Sequence, residues 1–466
     1  MKVHIINGTK WRLEDEGLLE ILGQVTGNGA VRRGYAVYPY RDGKVFIKAF
    51  LEKGLSGFVR NKILPRGKKE FVAGTRLISF GIATPRPLGY GITPNGSYII
   101  QEWIEAENFS SILKKGDGAH LLAGLAGLLK TLKTLQIRHN DLHLENVLVK
   151  EGRLFLIDLH KMKIKRFFRL GDEVSNLAHS LVSVYGDMDE TEKEAFFRIY
   201  GGDEARRPLE KEIGKLAARW FRKKRQRAFD QTSKIEVRGN RLCVADWKGL
   251  SLGSLVETIK QDKKVRVERY SDHIRKIYRD KRRLKKAWKS HVVFLYMSLP
   301  VVPEPYYLAL PEQGQPGYIA MEDLKGKGEE LDRYLDRHYD TNSYSERKHF
   351  IDSLCGFFDS LFKWGIVHND VKGCNLFVIG KDAFVFLDVE DFTFDFLTAD
   401  CMERMFFQLN TTIPKRIVMR DRMRFFVRVT SSLEMDKKAL FRKLLYKSAK
   451  AEIVYEGISG LVKEKW

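Results

Sequence analysis

Two stretches of the chain carry the same set of groups that could do acid–base and metal chemistry. "HNDLHLEN" contains Asp141 and, five residues later, Asn146, and "HNDVKGCN" contains Asp370 and Asn375 at the same spacing. Each stretch is followed by two short apolar runs, "NVLVKEGRLFLID" and "NLFVIGKDAFVFLD", which predict a β-hairpin that ends in an aspartate. Because a hairpin returns to where it began, we expect that aspartate to lie beside the preceding Asp and Asn.

This spacing is typical of phosphoryl transfer. One carboxylate orients the acceptor hydroxyl and takes its proton, while a carboxamide and a second carboxylate hold Mg²⁺ against the phosphates. A lone Asp at any of these places would more often cap a loop, but the ordered set occurs twice. The first set predicts Asp141 as the catalytic base and Asn146 with Asp158 as magnesium ligands. The corresponding residues of the second set are Asp370, Asn375 and Asp388.

A kinase also needs a small lobe that holds ATP. "GKVFIKAF" predicts a strand with Lys48 in its apolar run, where kinases carry the lysine for the α- and β-phosphates. "KKEFVAGTRLISFG" predicts a helix on which Glu70 can pair with that lysine. Further upstream, "GQVTGNGAVRRGYAV" predicts a hairpin that covers the phosphates, in which Gly27 and Gly29 allow close backbone approach. Asn-Gly is equally the signature of an ordinary hairpin turn.

The second copy departs from the first in this small lobe. Aligning "VRVERY" with "VFIKAF" places Glu268 where Lys48 stands, and a glutamate there would repel phosphates. The residues opposite Glu70 offer no acid; they are Lys286, Ala287 and Trp288. A shifted alignment leaves three substitutes for the lysine, which are Lys260, Lys263 and Lys264. The sequence therefore predicts that the second copy keeps a catalytic loop but has lost the lysine and glutamate that hold the phosphates.

Other segments recur in the same order, which indicates a tandem duplication. An amphipathic helix is predicted before each loop, and "ATPRPLGY" is echoed by "VVPEPYYL". "YIIQEWI" is echoed by "YIAMEDL". In the first copy this segment, with Gln101, Glu102 and Trp103, predicts the hinge that offers backbone groups to adenine.

The sequence thus predicts an α+β fold made of two tandem protein-kinase-like bilobal domains. Each would have a small β-rich N-lobe and a larger helical C-lobe. The first domain is expected at residues 1–230, with its N-lobe up to about residue 104 and its C-lobe from about 105 to 230. The second, divergent domain is expected at 231–466.

The charge composition limits the classes of molecule that the protein is expected to bind. Lys+Arg 82 against Asp+Glu 60 gives a net charge of +22, concentrated in "RWFRKKRQR" and "RDKRRLKKAWK". Either run could be a solvated helix face or could meet an anionic lipid, a charged substrate or nucleic acid. The absence of a nucleic-acid motif beside these runs disfavours nucleic acid. No apolar run approaches the ~18 residues of a membrane span, the N-terminus lacks a signal-peptide core, and the scattered cysteines fit a reducing cytosol without a zinc site.

The first copy resembles the lipopolysaccharide kinase (Kdo/WaaP) family. The resemblance lies in "HNDLHLENVLV" and "LFLIDLHKMKIKRFFR", where Asp158 is followed by Leu-His and by the basic stretch Lys161–Arg169. "KKEFVAGTRLISFGIATPRPLGYG" and "RLGDEVSNLAHSLVSVYG" resemble further segments of the family, and in the latter Asp172 would brace the catalytic loop. A histidine two residues after the base, here His143, is usual in sugar and small-molecule kinases. Protein kinases usually have a lysine at this position, and the second copy has Lys372 there. The resemblance covers residues 20–205 well and 240–455 more loosely.

The resemblance implies a Mg-ATP-dependent phosphotransferase that acts on a sugar hydroxyl, of heptose or Kdo, in the lipid-linked inner core of lipopolysaccharide. It also implies peripheral attachment to anionic lipid at the cytoplasmic face of the inner membrane. We expect the first domain to be catalytic and the second to support it. A protein kinase, a small-molecule kinase and a tandem pseudokinase scaffold remain as alternatives.

Overall fold

The computed structural model describes most of the chain. The described residues are 1–27, 34–52, 54–115, 120–202, 204–245, 247, 253–312, 314–394, 397–431, 433 and 435–466. The chain divides into two compact units, Met1–Leu216 and Ala217–Trp466. The division lies a short distance before the predicted boundary at 230. The mixed helix and strand content agrees with the predicted α+β class.

The first unit contains a six-stranded sheet, shorter strands, and helices that alternate with the strands along the chain. Its strands are β1 Lys2–Ile6, β2 Thr9–Leu13, β3 Tyr35–Tyr40, β4 Gly43–Leu51, β5 Pro87–Thr93, β6 Gly96–Glu102, β7 Glu107–Asn108, β8 Ile137–His139, β9 Val147–Lys150, β10 Arg153–Leu156 and β11 Met162–Ile164. Its helices are α1 Leu19–Gly27, α2 Gly54–Ile63, α3 Arg66–Ser79, α4 Phe109–Lys114, α5 Leu121–Thr134, α6 Leu170–Leu181, α7 Glu190–Tyr200 and α8 Arg206–Gln226, which runs into the second unit.

The second unit has the same kinds of elements. Its strands are β12 Ile235–Arg238, β13 Arg241–Val244, β14 Leu255–Gln261, β15 Val265–Tyr270, β16 Ile274–Tyr278, β17 Pro305–Ala309, β18 Gly317–Met321, β19 Gly328–Glu330, β20 Ile366–His368, β21 Leu376–Ile379, β22 Ala383–Phe386, β23 Phe392–Phe394, β24 Glu452–Gly457 and β25 Gly460–Lys465. Its helices are α9 Lys281–Met297, α10 Leu331–His338, α11 Tyr344–Phe362, α12 Ala399–Asn410, α13 Met419–Val429 and α14 Lys437–Ser448.

The main sheets of the two units have corresponding strand orders. In the first unit the order is β1-β2-β5-β6-β4-β3, and in the second it is β12-β13-β17-β18-β16-β15-β14. The two orders match strand for strand, with β14 as an addition at the edge of the second sheet. This added strand is exposed along its length. Because of this extra strand, β16 and not β15 corresponds to β4 of the first unit.

The predicted hairpins after the two loops are present, as β9–β10 and β21–β22. The predicted amphipathic helices before the loops are α5 and α11, and each buries an apolar face. Leu125, Leu129 and Leu132 are buried on α5, and Leu354 and Phe358 are buried on α11. Since apolar side chains recur every three or four residues, one face of each helix joins the core that supports the loop.

Close packing of α3 on the sheet depends on one glycine. A Cβ atom on Gly67 would lie 2.2 Å from the carbonyl oxygen of Tyr98 on β6, so only glycine fits there. The Gly67 N–H donates to Ser97 Oγ at 3.0 Å. These contacts bring the first turn of α3 against β6, which neighbours the strand that carries Lys48.

Candidate active site

The predicted catalytic base lies in a loop between β8 and β9. The Asp141 carboxylate pairs with Lys161, and His143 Nε2 lies 3.1 Å from its Oδ1. Burial raises the pKa of Asp141, but the Lys161 ammonium and then His143 outweigh it, so that the pKa lies below the usual range. Asp141 is therefore ionised at neutral pH and can accept a hydrogen bond from an acceptor hydroxyl.

Asn146 joins this loop to the strand that leads to Asp158. Its Nδ2 donates to the Asp141 carbonyl oxygen at 2.8 Å, and its own carbonyl accepts from the Ile157 N–H at 3.0 Å. The hairpin therefore returns to the loop as its sequence predicts. The two predicted magnesium ligands, Asn146 and Asp158, lie on segments that are hydrogen-bonded to each other.

Asp158 has a left-handed backbone, with φ of 60°, which is uncommon for a residue other than glycine. Its Oδ1 accepts from Lys48 Nζ at 2.7 Å and lies 2.6 Å from His160 Nδ1. Burial raises the pKa of Asp158, but the hydrogen bond from His160 and the charge of Lys48 hold it well below its ordinary value. The carboxylate is thus ionised and directed at the lysine that the sequence predicted for phosphate.

Glu70 lies on α3 behind this pair. Its Oε2 is 3.6 Å from Lys48 Nζ and 3.8 Å from His160 Nδ1, and the side chain is 3% exposed. Burial raises the pKa of Glu70, while the positive charge of Lys48 lowers it in opposition. The structure therefore brings together Lys48, Glu70 and Asp158, as the sequence predicted, and adds His160 as a bridge between the two carboxylates.

The strand before the loop is held by groups that the sequence only partly indicated. Asp172, expected to brace the loop, accepts from Arg138 Nη1 at 2.7 Å. The buried Asn176 on α6 was not predicted; its Oδ1 accepts from the His139 N–H at 3.0 Å, and its Nδ2 donates to the Ile137 carbonyl at 2.8 Å. An asparagine within "DEVSNLAHSL" carries no signal of this role in sequence. Burial lowers the pKa of His139 to about 4, so this ring is neutral and its Nδ1 can accept from the Asp141 N–H.

One of the two glycines predicted to cover the phosphates is not placed as expected. Gly27 ends helix α1 instead of lying in a hairpin. Gly29 falls outside the described residues, so its role stays a prediction.

The predicted hinge lies at the end of β6. Gln101 pairs with Phe46 in the sheet, the Glu102 N–H donates to the Arg86 carbonyl at 2.9 Å, and the Trp103 N–H donates to the Lys44 carbonyl at 3.0 Å. Both N–H groups therefore have protein partners. An adenine contact by Glu102 or Trp103 would have to use their carbonyl oxygens.

The second unit corrects the prediction about its lysine. Glu268 lies on β15, where it pairs with Arg275, and not on the strand that corresponds to β4. On β16, Lys276 pairs with Ile319 as Lys48 pairs with Ile99, and its Nζ lies 2.5 Å from Asp388 Oδ1. The predicted loss of the lysine is therefore wrong. The error came from the added strand β14, which displaced the alignment by one strand.

The catalytic loop of the second unit repeats the hydrogen bonds of the first. Asn375 Nδ2 donates to the Asp370 carbonyl at 2.9 Å, and the Leu387 N–H donates to the Asn375 carbonyl at 2.9 Å. The Asp370 carboxylate pairs with Lys372 at 2.9 Å and accepts from Gln408 Nε2 at 3.1 Å. No acid was expected in the second unit at the position of Glu70. Helix α9, whose sequence is "KRRLKKAWKSHVVFLYM", contains no acidic residue.

The sequence was compared with models of known protein families. Residues 23–200 match the model of the Lipopolysaccharide kinase (Kdo/WaaP) family. The match confirms, for this part of the chain, the resemblance read from the sequence, and it supports a phosphotransferase of the kinase class. Membership of this class implies ATP as the phosphoryl donor.

The chain is also similar in structure to solved kinases, at low identity. WaaP in complex with acyl carrier protein is 19% identical, over 49% of this chain and 100% of that one, with a TM-score of 0.32. WbdD with the kinase inhibitor LY294002 is 18% identical over 40% of this chain and 44% of that one, with a TM-score of 0.29. An aminoglycoside-3'-phosphotransferase of type VIII is 16% identical over 40% of this chain and 92% of that one, with a TM-score of 0.29. A search of curated protein sequences finds no match.

Proposed function

We propose that the first unit transfers the γ-phosphoryl group of ATP to a sugar hydroxyl, of heptose or Kdo, in the inner core of lipopolysaccharide. The family match supports a kinase of lipopolysaccharide biosynthesis. The observation that carries the proposal is the contact of Lys48 with Asp158, whose hairpin is hydrogen-bonded to the loop of Asp141, with both carboxylates ionised. These are the charges that positioning and neutralisation of a phosphoryl group require.

In this proposal Asp141 orients the acceptor hydroxyl and takes its proton. Because the transition state of phosphoryl transfer is loose, orientation of the hydroxyl counts for more than a strongly basic carboxylate. A carboxylate whose pKa is lowered by Lys161 is adequate for that role. Lys161 and His143 hold Asp141 in place, and His143 packs edge-on against His179 with ring centroids 5.3 Å apart.

Lys48 would hold the α- and β-phosphates, and Glu70 would fix the position of Lys48. Mg²⁺, when bound, would neutralise phosphate charge. The residues present fit it: Asp158 offers ionised carboxylate oxygens and Asn146 a carboxamide oxygen, which are the hard ligands that Mg²⁺ prefers. Glu70 is committed to Lys48 and is the less suited of the nearby acids for the metal.

The acceptor is proposed to be reached at an anionic membrane surface, at the cytoplasmic face of the inner membrane. The supporting feature is a basic-aromatic segment, residues 163–170, which follows Asp158 and contains no acidic residue. Phe167 is 69% exposed and Leu170 49% exposed within this segment. Strand β11 begins opposite the end of β8, next to the catalytic loop, and runs antiparallel to β8 away from that loop. Cations beside exposed apolar side chains favour binding at a lipid interface, and no described helix is long and apolar enough to cross a membrane.

The second unit is proposed to be a divergent kinase-like domain that supports the first and arose with it by tandem duplication. The matching strand orders of the main sheets and the matching hydrogen bonds of the two catalytic loops support this. Lys372 in place of His143 and the missing helix acid mark the divergence. We expect Asp370→Asn to reduce glycolipid phosphorylation only mildly; a severe loss would indicate two active sites that act on the acceptor.

The test uses the full chain, labelled ATP and Mg²⁺, with core glycolipid, protein or small-molecule acceptors in separate reactions. We expect label on the glycolipid, and a loss of about 10²- to 10⁴-fold in Asp141→Asn, since a positioned acid–base group contributes that much. Asp158→Ala should be inactive while circular dichroism shows a folded chain. Asp42→Asn, an exposed acid in the turn before β4, serves as the control. Full activity of either site variant, or label on protein alone, would contradict the proposal.

A further inference from the structure

The lysine of the second unit is held by an acid from an unexpected place. In the first unit the acid comes from helix α3, as Glu70, and the second residue after the metal-site aspartate is His160. In the second unit the second residue after Asp388 is Glu390, whose Oε2 lies 3.1 Å from Lys276 Nζ. The acid has thus moved from the helix to the loop after the aspartate.

The charge of the residue on the helix is also reversed in the second unit. Arg283, on α9, donates from Nε to Glu390 Oε1 at 2.8 Å, and the Tyr278 hydroxyl donates to Glu390 Oε2 at 3.1 Å. The Glu390 side chain is 1% exposed, and its carboxylate is paired inside the unit with Lys276 and Arg283. A carboxylate buried this deeply would be costly without such partners. The first unit has acid on the helix and a base on the loop; the second has base on the helix and an acid on the loop.

The added hairpin supplies a second difference. Strands β14 and β15 pair with each other directly before β16, where kinases place the loop that covers the phosphates. The turn between them, "DKK", contains lysines and no glycine. The Lys260 charge at the end of β14 acts on Asp388, which it stabilises in the ionised form together with Lys276.

We propose that the second unit binds Mg-nucleotide, with Lys276 directed at the phosphates and Asp388 as the residue that would hold the Mg²⁺, and that Glu390 is the positioning residue that replaces the helix acid. Lys276 contacts Asp388 as Lys48 contacts Asp158, and Asn375 makes the same loop hydrogen bond as Asn146. The backbone differs at the aspartate, with φ of −98° at Asp388 and 60° at Asp158. Glu390, held by Arg283, fixes Lys276 without an acidic helix. The β14–β15 hairpin brings lysine charge to the phosphates in place of glycine backbone. This inference rests on the proposal that the second unit is kinase-like, but not on the catalytic role of the first.

The test is calorimetric titration of the full chain with ATP and Mg²⁺. The wild type is expected to bind two equivalents. Asp158→Ala should remove the first site and leave one equivalent. In that background, Glu390→Gln should weaken the remaining binding at least 10-fold, and Asp388→Asn should abolish it. Glu403→Gln is the matched control, because Glu403 is also buried in the second unit and paired with two lysines, Lys443 and Lys447, but lies on α12.

The outcomes separate a positioning role from a structural one. Glu390→Gln and Glu403→Gln can both lower the melting temperature, but only Glu390→Gln should change nucleotide affinity, and Glu390→Asp should restore part of it. Asp388→Asn keeps the shape of the site if Glu390→Gln does not fold. The proposal is overturned if the Asp158→Ala chain binds no nucleotide, or binds it equally well with Asp388→Asn. One equivalent that is lost only in Asp388→Asn would support this inference and refute the proposed role of the first unit.

Discussion

Replacement of Asn176 by alanine should destabilise the strand that leads into the catalytic loop. The Asn176 side chain is buried, accepts from the His139 N–H at 3.0 Å and donates to the Ile137 carbonyl at 2.8 Å. Alanine leaves both backbone groups buried without these partners, at a cost of about 1–3 kcal/mol each. The better helix propensity of alanine returns about 0.5 kcal/mol. The net local loss is therefore about 1.5–5.5 kcal/mol.

Hydrogen exchange measures this loss where it occurs. A destabilisation of about 1.5–5.5 kcal/mol raises the population of the locally open state by about 10- to 10⁴-fold, so amides of β8 should exchange faster by that factor. Phosphorylation should fall by about 10²-fold, because a shift of about 1 Å in a reacting group costs that much. Ser180→Ala, one turn further along α6 and fully buried, is the control. Unchanged β8 protection and unchanged activity in Asn176→Ala would refute the reasoning.

Three further variants test other parts of the structure. Gly67→Ala should cost about 1–3 kcal/mol and lower activity, since its Cβ collides with a carbonyl of β6, whereas Gly127→Ala, with open space around it, should not destabilise in thermal melts. Phe167→Ser should weaken sedimentation with anionic vesicles by about 10-fold, the value of one inserted aromatic side chain, and Ile199→Ser, an exposed residue of α7, should not. Burial raises the pKa of Asp332 to about 6. The folded state therefore binds the extra proton between about pH 4 and 6, so stability should fall by about 3 kcal/mol as pH rises through that window, and Asp332→Asn should flatten this dependence in urea unfolding.

Each of these has an outcome that contradicts it. Equal melting temperatures for the two glycine variants would mean that α3 does not need its close approach to β6. Equal vesicle binding by the Phe167 and Ile199 variants would remove the basic-aromatic segment from the proposed membrane contact. Binding of an acidic soluble protein instead of vesicles would point to a protein partner for that segment. An equal pH dependence of stability in the wild type and in Asp332→Asn would show that Asp332 does not bind the extra proton in the folded chain.

Much of the first site could be predicted because its chemistry is local in sequence. Asp141 and Asn146 share one loop, and a hairpin of fixed length returns Asp158 to it, so spacing alone brings them together. Lys48 and Glu70 were found because a strand and a helix each have a readable period. The hairpin predicted at Gly27 is wrong, because that residue ends helix α1.

The second site shows what only the tertiary structure decided. Strand order determines which lysine faces the metal-site aspartate, and the added strand β14 leaves no mark in the sequence that would distinguish it from β15. Lys276 was therefore found by its pairing with Ile319 and not by alignment. Glu390 and Asn176 are ordinary residues in sequence; burial beside a charge or a backbone group gives them their roles. The sequence by itself determined the reacting groups and the loops that carry them, because those contacts are short-range. The partners that hold these groups come from distant segments, and folding alone brings them within hydrogen-bonding distance.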